Sequence, residues 1–334
     1  MSLWREYMLN REIKAIDNFI VFDLEWNQCP FGKGRENKDI PFEIIEIGAF
    51  KLNKEKEIID EFHRIIRPMV YKKIHFQTQK IIGMDIATLE KGEFFYRAIK
   101  DFLLWCGDDF SFATWGIADL IELQRNMKYY GLLELLPGPI RFFDVQKLFS
   151  IRYDDGKSRK SLEHAIDSLQ LKKERDFHRA LSDANYTAEI LAVIGDKTIY
   201  KNYSIDVYQN PKRKEDEIVA VFEHYLKYIS REFKSKEEAM RDREIVEVKC
   251  FKCGKQLRRK IRWFSIGSKK YYSIFFCSEH GYIKSKIRMK RTEKETFFVV
   301  KTIKLISEEE VELIRKKQEL LKSKRRERRK IIKK

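Results

Sequence analysis

Asp23 and Glu25 lie two residues apart at the end of the apolar run Phe19-Ile20-Val21-Phe22. A short apolar run that ends in acids reads as a buried strand opening onto a site. Positions two apart on a strand face the same side, so both carboxylates look into one volume. Two anions that close repel unless a cation sits between them. A third carboxylate, Asp119, follows the strand-like Ser111–Trp115 and the breaker Gly116, in the first turn of an expected helix. There it could equally complement the helix dipole or cap the helix. A fourth stands in Phe177-His178-Arg179-Ala180-Leu181-Ser182-Asp183-Ala184. Residues 179–194 have helical spacing, which puts Asp183 on the helix and His178 in the loop that enters it. Asp183 can then reach inward while His178 stays movable. Each residue taken singly is an ordinary strand end, helix start or surface histidine; their order along one chain is what points to chemistry.

That order, Asp-x-Glu, then Asp, then His-x4-Asp, resembles the DEDDh branch of the RNase H-like 3′→5′ exonuclease superfamily over residues 17–194. Glu43-Ile44-Ile45-Glu46-Ile47-Gly48-Ala49 and Ile81-Ile82-Gly83-Met84 match supporting segments of the same family. Within it, Phe22–Glu25, Glu43–Glu46 and Thr114-Trp115-Gly116 look most like the Eri-type RNA exonucleases. The resemblance implies phosphodiester hydrolysis assisted by two divalent cations, Mg²⁺ or Mn²⁺, held by hard oxygen ligands. It gives Asp23 as the bridge between the ions, Glu25 and Asp183 to one and Asp119 to the other, with His178 as general base. The implied partner is a single-stranded 3′ end, RNA favoured over DNA. A DNA exonuclease of proofreading or repair type is the alternative enzyme. A non-catalytic nucleic-acid or ribosome-binding factor is the alternative without chemistry. One departure stands out: Trp26-Asn27 follow Glu25 where the family carries small hydroxyl residues. Trp26 either stacks on the terminal nucleotide or packs in the core. Phe76, Gly83 and Met84 are further candidates around that nucleotide, and Arg67, Lys72, Lys73, Lys157, Arg159 and Lys160 for the strand path.

A second constellation lies far downstream. Cys250-x2-Cys253 and Cys277-x2-His280 enclose 23 residues. Paired knuckles of soft and borderline ligands suit tetrahedral, structural Zn²⁺. The strand-like 282–289 alternates Tyr282, Lys284, Lys286 and Arg288 with Ile283, Ser285, Ile287 and Met289. With Arg258, Arg259, Lys260 and Arg262 nearby, basic residues interleave with aromatics, which fits contact with nucleic acid. Residues 320–334 hold nine Lys/Arg against one Glu. This basic C-terminal region is expected to reach structured RNA or a ribosomal surface.

The elements that must position these residues follow from patterning. Residues 19–25, 43–52, 57–66 and 111–115 read as strands, and 93–106, 118–130, 160–169 and 179–194 as helices. The fold class is therefore α/β: an RNase H-like mixed five-stranded sheet flanked by helices, with a small zinc-stabilised β module and a basic C-terminal helix. The expected domains are 1–195 for the exonuclease, 196–245 for a charged helical connector, 246–306 for the zinc-ribbon-like module and 307–334 for the helix or tail. Ser307 and Glu310 suggest a capping box at the start of that helix. A hydrophobic content of 43% with 13% aromatics excludes a disordered chain. No apolar run is long enough to span a membrane. The N-terminal MSLWREYMLNREIK lacks a signal core, so a cytoplasmic location is expected. The five cysteines are an odd count and do not suggest a disulfide framework. Residues 1–245 carry 40 Lys/Arg against 42 Asp/Glu, and residues 246–334 carry 29 against 10, so the formal +17 resides in the C-terminal quarter. Such asymmetry suggests a polyanion partner for that part of the chain.

Overall fold

The structure, a computed structural model, describes residues 18–332, with side chains through Glu327. The N-terminal segment read above for a signal core and the last residues of the basic tail lie outside the described residues. The described chain divides into two compact units, residues 18–209 and 210–332.

The first unit begins with three antiparallel strands, β1 (Asn18–Gln28), β2 (Phe42–Asn53) and β3 (Ile58–Ile65). The turn between β2 and β3 closes on the expected residues, with the Lys56 amide donating to the Asn53 carbonyl at 2.9 Å. Three helices follow: α1 (Phe76–Ile82), α2 (Ile86–Glu90) and α3 (Phe95–Cys106). Then come β4 (Phe110–Thr114), α4 (Ala118–Tyr129), β5 (Arg141–Asp144), α5 (Val145–Tyr153) and α6 (Leu162–Ser168). The unit closes with α7 (Ala180–Val193), α8 (Asp196–Lys201) and β6 (Ser204–Ile205). The sheet order is β3-β2-β1-β4-β5-β6, with β4 and β5 parallel to β1 and the others antiparallel. This is the expected mixed sheet flanked by helices, with a two-residue sixth strand added at one edge.

β1 is a continuous apolar run because it is central, and Phe19–Phe22 are fully buried. Its two faces meet different layers. Ile20, Phe22 and Leu24 pack with Phe95, Ile99 and Phe102 of α3 and with Leu120 and Leu123 of α4. Phe19 points the other way, its ring 5.4 Å from Phe143 and 6.3 Å from Tyr200 of α8. Asp23 and Glu25 share the parity of Phe19, so alternation delivers both acids to one side.

The second unit contains β7 (Ile218–Val221), β8 (Tyr225–Phe233), α9 (Lys236–Ala239) and α10 (Arg243–Val246). It continues with β9 (Arg258–Gly267), β10 (Lys270–Cys277), β11 (Gly281–Arg291), β12 (Phe297–Leu305) and the long α11 (Glu308–Ile332). The strands form an antiparallel sheet ordered β7-β8-β12-β11-β10-β9. Leu226, Ile283, Ile287, Met289 and Ile303 fill one face, with Cys250 and Cys277 in the same cluster. Ile261, Phe264 and Ile274 on the other face receive Val311 and Ile314 of α11.

Three expectations change here. The connector expected to be helical over 196–245 instead contains β7 and β8, and only two four-residue helices follow them. The mixed charges suggested helical ion pairs. Tyr225, Tyr228, Ile229 and Phe233 instead favour a strand with half-buried alternation. Residues 196–209, expected in the connector, supply α8 and β6 to the first unit. The capping box is only half formed: Ser307 Oγ accepts from the Glu310 amide at 3.3 Å, but the Glu310 carboxylate pairs with Lys284.

Candidate active site

The β1 ladder places Asp23 opposite Gly48 and Glu25 opposite Glu46 on β2. Immediately beyond, the register slips between Glu25 and Trp26, leaving Ile45 as the extra residue. Such a bulge bends the strand and re-aims its side chains. Asn126 of α4 stabilises the irregular strand from outside the ladder. Its Oδ1 accepts from the Ile44 amide at 3.1 Å, and its Nδ2 donates to the Phe42 carbonyl at 2.9 Å.

Gly48 lets α7 approach this point. A Cβ built on it would lie 2.1 Å from the Leu181 nitrogen and 2.3 Å from the Ala180 carbonyl carbon. No side chain fits there, so the first turn of α7 rests on the β2 backbone next to Asp23. Asp183, on that turn, thereby joins Asp23 and Glu25; the three offer carboxylate oxygens all within 4.8 Å of one another. Asp183 Oδ1 is buried and has no hydrogen-bond partner, while Oδ2 accepts from the backbone N–H of His178 at 3.3 Å. Asp119 is buried at the start of α4, and its Oδ1 accepts from the Leu24 amide at 3.3 Å. It stands beside the three-carboxylate cluster, which it does not join directly.

The carboxyls of this group are buried together and repel one another. Burial, then repulsion from Asp119, Glu25, Asp183 and Glu46, holds the Asp23 carboxyl well above its ordinary range. Burial, then Asp183, Glu46 and Asp119, pushes Glu25 up to about 8. Burial is also the main cause that lifts Asp119 to about 7 and Asp183 to about 6, each against opposing hydrogen bonds. Crowded oxygen donors, one of them buried without a partner, fit hard divalent cations such as Mg²⁺ or Mn²⁺.

His178 is exposed and has a left-handed backbone, φ 63°. Histidine is among the residues enriched there, and the bond from its amide to Asp183 helps hold the conformation. Among the described residues its imidazole makes no hydrogen bond.

A neighbouring group was not expected from the sequence. Glu46, fully buried, accepts from His63 Nε2 at 2.8 Å and from Arg179 Nη2 at 3.0 Å and Nε at 3.2 Å. Burial would raise the Glu46 carboxyl, but the bonds from His63 and Arg179 outweigh it and hold it low. The Arg179 charge also opposes the upward shift of Glu25. Glu46 was legible as part of a motif; its partners were not, because Arg179 lies 133 residues away in sequence.

The four nucleotide candidates separate. Phe76 is 71% exposed at the start of α1. Gly83 is the left-handed C-cap of that helix, φ 66°. Met84 is buried beside Ile45, Ile82 and Leu89. Trp26 is partly buried against the main core, its ring 5.8 Å from Phe42. Of the basic candidates, Arg159 pairs with Asp144 at 3.3 Å and Lys160 with Asp154 at 3.6 Å.

The exonuclease family described as RNase_T matches residues 20–191, just over half of the chain. The chain belongs to this exonuclease family. Membership gives it an exonuclease domain of the DEDDh type over those residues. Among curated protein sequences no relative matches. The exonuclease fold is similar to that of several solved structures. One is cell-death related nuclease 4 (CRN-4), at 16% identity and TM-score 0.46, covering 57% of this chain and 66% of that one. This chain therefore spans just under two thirds of the length of CRN-4. Another is the nuclease domain of 3′hExo, a DEDDh family member bound to rAMP, at 19% identity and TM-score 0.49, covering 58% and 98%. A third is E. coli exonuclease I in complex with a dA16 oligonucleotide, at 15% identity and TM-score 0.44, covering 55% and 42%.

Outside the exonuclease domain, Cys250, Cys253, Cys277 and His280 bring their ligand atoms within 4.8 Å of one another. The Cys253–Cys277 sulfurs are 3.7 Å apart, and His280 Nδ1 is 3.7 Å from the sulfurs of both Cys250 and Cys277. No disulfide forms. A tetrahedron with the usual Zn–S and Zn–N bond lengths has edges of roughly 3.6–3.8 Å, so this donor set fits a structural zinc site. The Cys277 thiol is drawn down to about 6; burial opposes this, and hydrogen bonds from His280 and the adjacent backbone outweigh it.

Proposed function

We propose that the protein removes nucleotides from single-stranded RNA 3′ ends, with Asp23, Glu25, Asp119 and Asp183 holding two divalent cations and His178 acting as general base. When bound, two such cations stabilise the charge that develops at the scissile phosphate and make water acidic enough to attack at neutral pH. Asp23, Glu25 and Asp183 present the clustered oxygens, and Asp119 adds its own from beside them. Asp119, tied to the Leu24 amide, fixes the strand end that carries Asp23 and Glu25. Asp183 has two roles: it joins the carboxylate cluster, and its Oδ2 holds the His178 backbone. The exposed imidazole can then take a proton from water at the cluster and pass it to solvent. The observation that carries this reading is the buried, unpartnered Asp183 oxygen within the three-carboxylate cluster, five residues after a histidine its other oxygen restrains. The lean to RNA rests on the Eri-type segments at Phe22–Glu25, Glu43–Glu46 and Thr114–Gly116.

The test uses 3′-labelled and 5′-labelled single strands of matched RNA and DNA, with and without Mg²⁺ or Mn²⁺. Hydrolysis should proceed from the 3′ end, require the cation and run faster on RNA. His178→Ala should lower turnover roughly 10²–10⁴-fold while Mn²⁺ titration still reports binding. Wild-type turnover in that variant would remove the base assignment, and equal rates on RNA and DNA would remove the preference.

A further inference from the structure

The face of the second sheet that carries α11 is only partly covered by that helix. β11 alternates strictly: Ile283, Ser285, Ile287 and Met289 are buried, while Lys284, Lys286 and Arg288 face the other side. The register extends the positive charge across three strands. Lys270 of β10 lies opposite Arg288, Tyr272 opposite Lys286, and Lys304 of β12 opposite Lys284. Residues directly opposed across an antiparallel pair share a face, so these side chains form one surface. The α11 helix touches its border, where Glu310 pairs with Lys284 and Lys317 lies 5.9 Å from the Tyr272 ring. Among the described residues, Lys270, Lys286, Arg288 and Lys304 have no carboxylate partner. Lys286 feels the crowding: burial, then the charges of Arg288, Lys270 and Lys284, hold it below its ordinary range.

A solvated basic face normally spreads its charges and mixes them with acids. Here two unpaired cations, Lys286 and Arg288, stand two residues apart on one strand, about 6.8 Å, with Lys270 and Lys304 on the strands to either side. That spacing is close to the separation of successive phosphates along an extended single strand of nucleic acid. We propose that Lys270, Lys286, Arg288 and Lys304 form a second, non-catalytic binding surface for the phosphate backbone of single-stranded nucleic acid. The choice of polyanion rests on the exonuclease reading, since an exonuclease acts on such chains. The surface reads backbone charge and carries no base specificity.

The test is anisotropy of a 5′-labelled 20-nucleotide RNA with the full chain, without added Mg²⁺ or Mn²⁺, over a series of KCl concentrations. Lys286→Gln with Arg288→Gln should weaken binding about tenfold and make the slope of log K against log salt shallower by about 1.4, two contacts at roughly 0.7 each. Lys286→Arg should bind as the unaltered protein does. Zinc content and melting temperature check that the sheet is intact in each variant. An unchanged affinity and slope in the double variant would overturn the proposal. So would a poly-glutamate peptide that the unaltered protein binds as tightly as RNA and the double variant loses, which would make the face a protein-docking surface. Hydrolysis of 3′-labelled RNA by the unaltered protein reports on the catalytic reading separately: its absence would sink that reading and leave the binding result standing.

Discussion

Asp23, Glu25, Asp119 and Asp183 carry more negative charge into one buried place than their protein neighbours neutralise. The cost shows in the upward shifts of all four, with Asp183 at about 6, Asp119 at about 7 and Glu25 at about 8. A carboxylate whose folded value is raised takes up a proton on folding. Its stabilising contribution is complete below the ordinary carboxylate range and is lost as pH rises through the folded value. The metal-free protein should therefore melt at progressively lower temperature between pH 5.5 and 8.5, by several degrees on the order expected for a few kcal/mol. Mg²⁺ or Mn²⁺ should restore the loss and raise the melting point more at pH 8 than at pH 6. Asp183→Asn should raise the metal-free melting point at pH 8 and abolish hydrolysis, because the charge that destabilises the empty cluster is the one the cation needs. Differential scanning fluorimetry across pH, with and without Mn²⁺, decides this; a metal-free profile that is flat or rises with pH would contradict it. The residue types of this cluster were legible in the sequence because strand alternation and helix entry leave few directions for a side chain. The clamp of Glu46, His63 and Arg179 was not, since nothing local announces which distant cation will reach a buried acid.

At the scale of elements, the site depends on how closely α7 lies on β2. Gly48 settles that distance, since even a methyl group would meet the backbone of Ala180 and Leu181. Gly48→Ala must either push the helix outward or distort the strand. Overpacking of this kind costs about 1–3 kcal/mol. Asp183 and the His178 amide move with the helix, so turnover should fall at least about tenfold, as misplacement by an ångström commonly does. Gly34→Ala is the matched control, because nothing lies within 4 Å of its added carbon. Melting temperature and turnover of the two variants test the point; a Gly48→Ala protein with normal values for both would show that α7 is not seated by that contact. In the sequence, Gly48 was visible only as a member of a matching segment. Its physical reason needed the approach of a helix 132 residues further on. The strands β7 and β8 were hidden for the opposite reason: their charged residues, spaced like helical ion pairs, masked the aromatic and β-branched residues that pair with β12.

At the scale of the whole chain, the two units differ in how they are stabilised. The first closes on itself at Gln209. Gln124 donates to Asp206 at 2.8 Å in the interior, and Gln209 donates to the Leu136 carbonyl at 2.7 Å and to Gln124 at 3.0 Å. A chain ending at residue 195 would lose α8, β6 and this network, whereas one ending at 209 keeps them. The second unit cannot be divided at 245, because β8 lies between β7 and β12. A chain ending there would expose the edge from which β12 was removed, and an unpaired apolar strand invites association. We therefore expect residues 1–209 to remain monomeric and to hydrolyse short oligonucleotides. Residues 1–245 should aggregate, and residues 1–195 should be markedly less stable. The intact chain should lose the second unit's cooperative transition when a chelator strong enough to take zinc is added, since four donors within 4.8 Å hold two knuckles of a small sheet together. Size-exclusion chromatography of the three truncations, with calorimetry of the intact chain before and after chelation, measures all of this. A soluble, monomeric 1–245 fragment would mean that β7 and β8 do not need the sheet, and an unchanged melting profile after chelation would mean that the cysteines and His280 do not staple it.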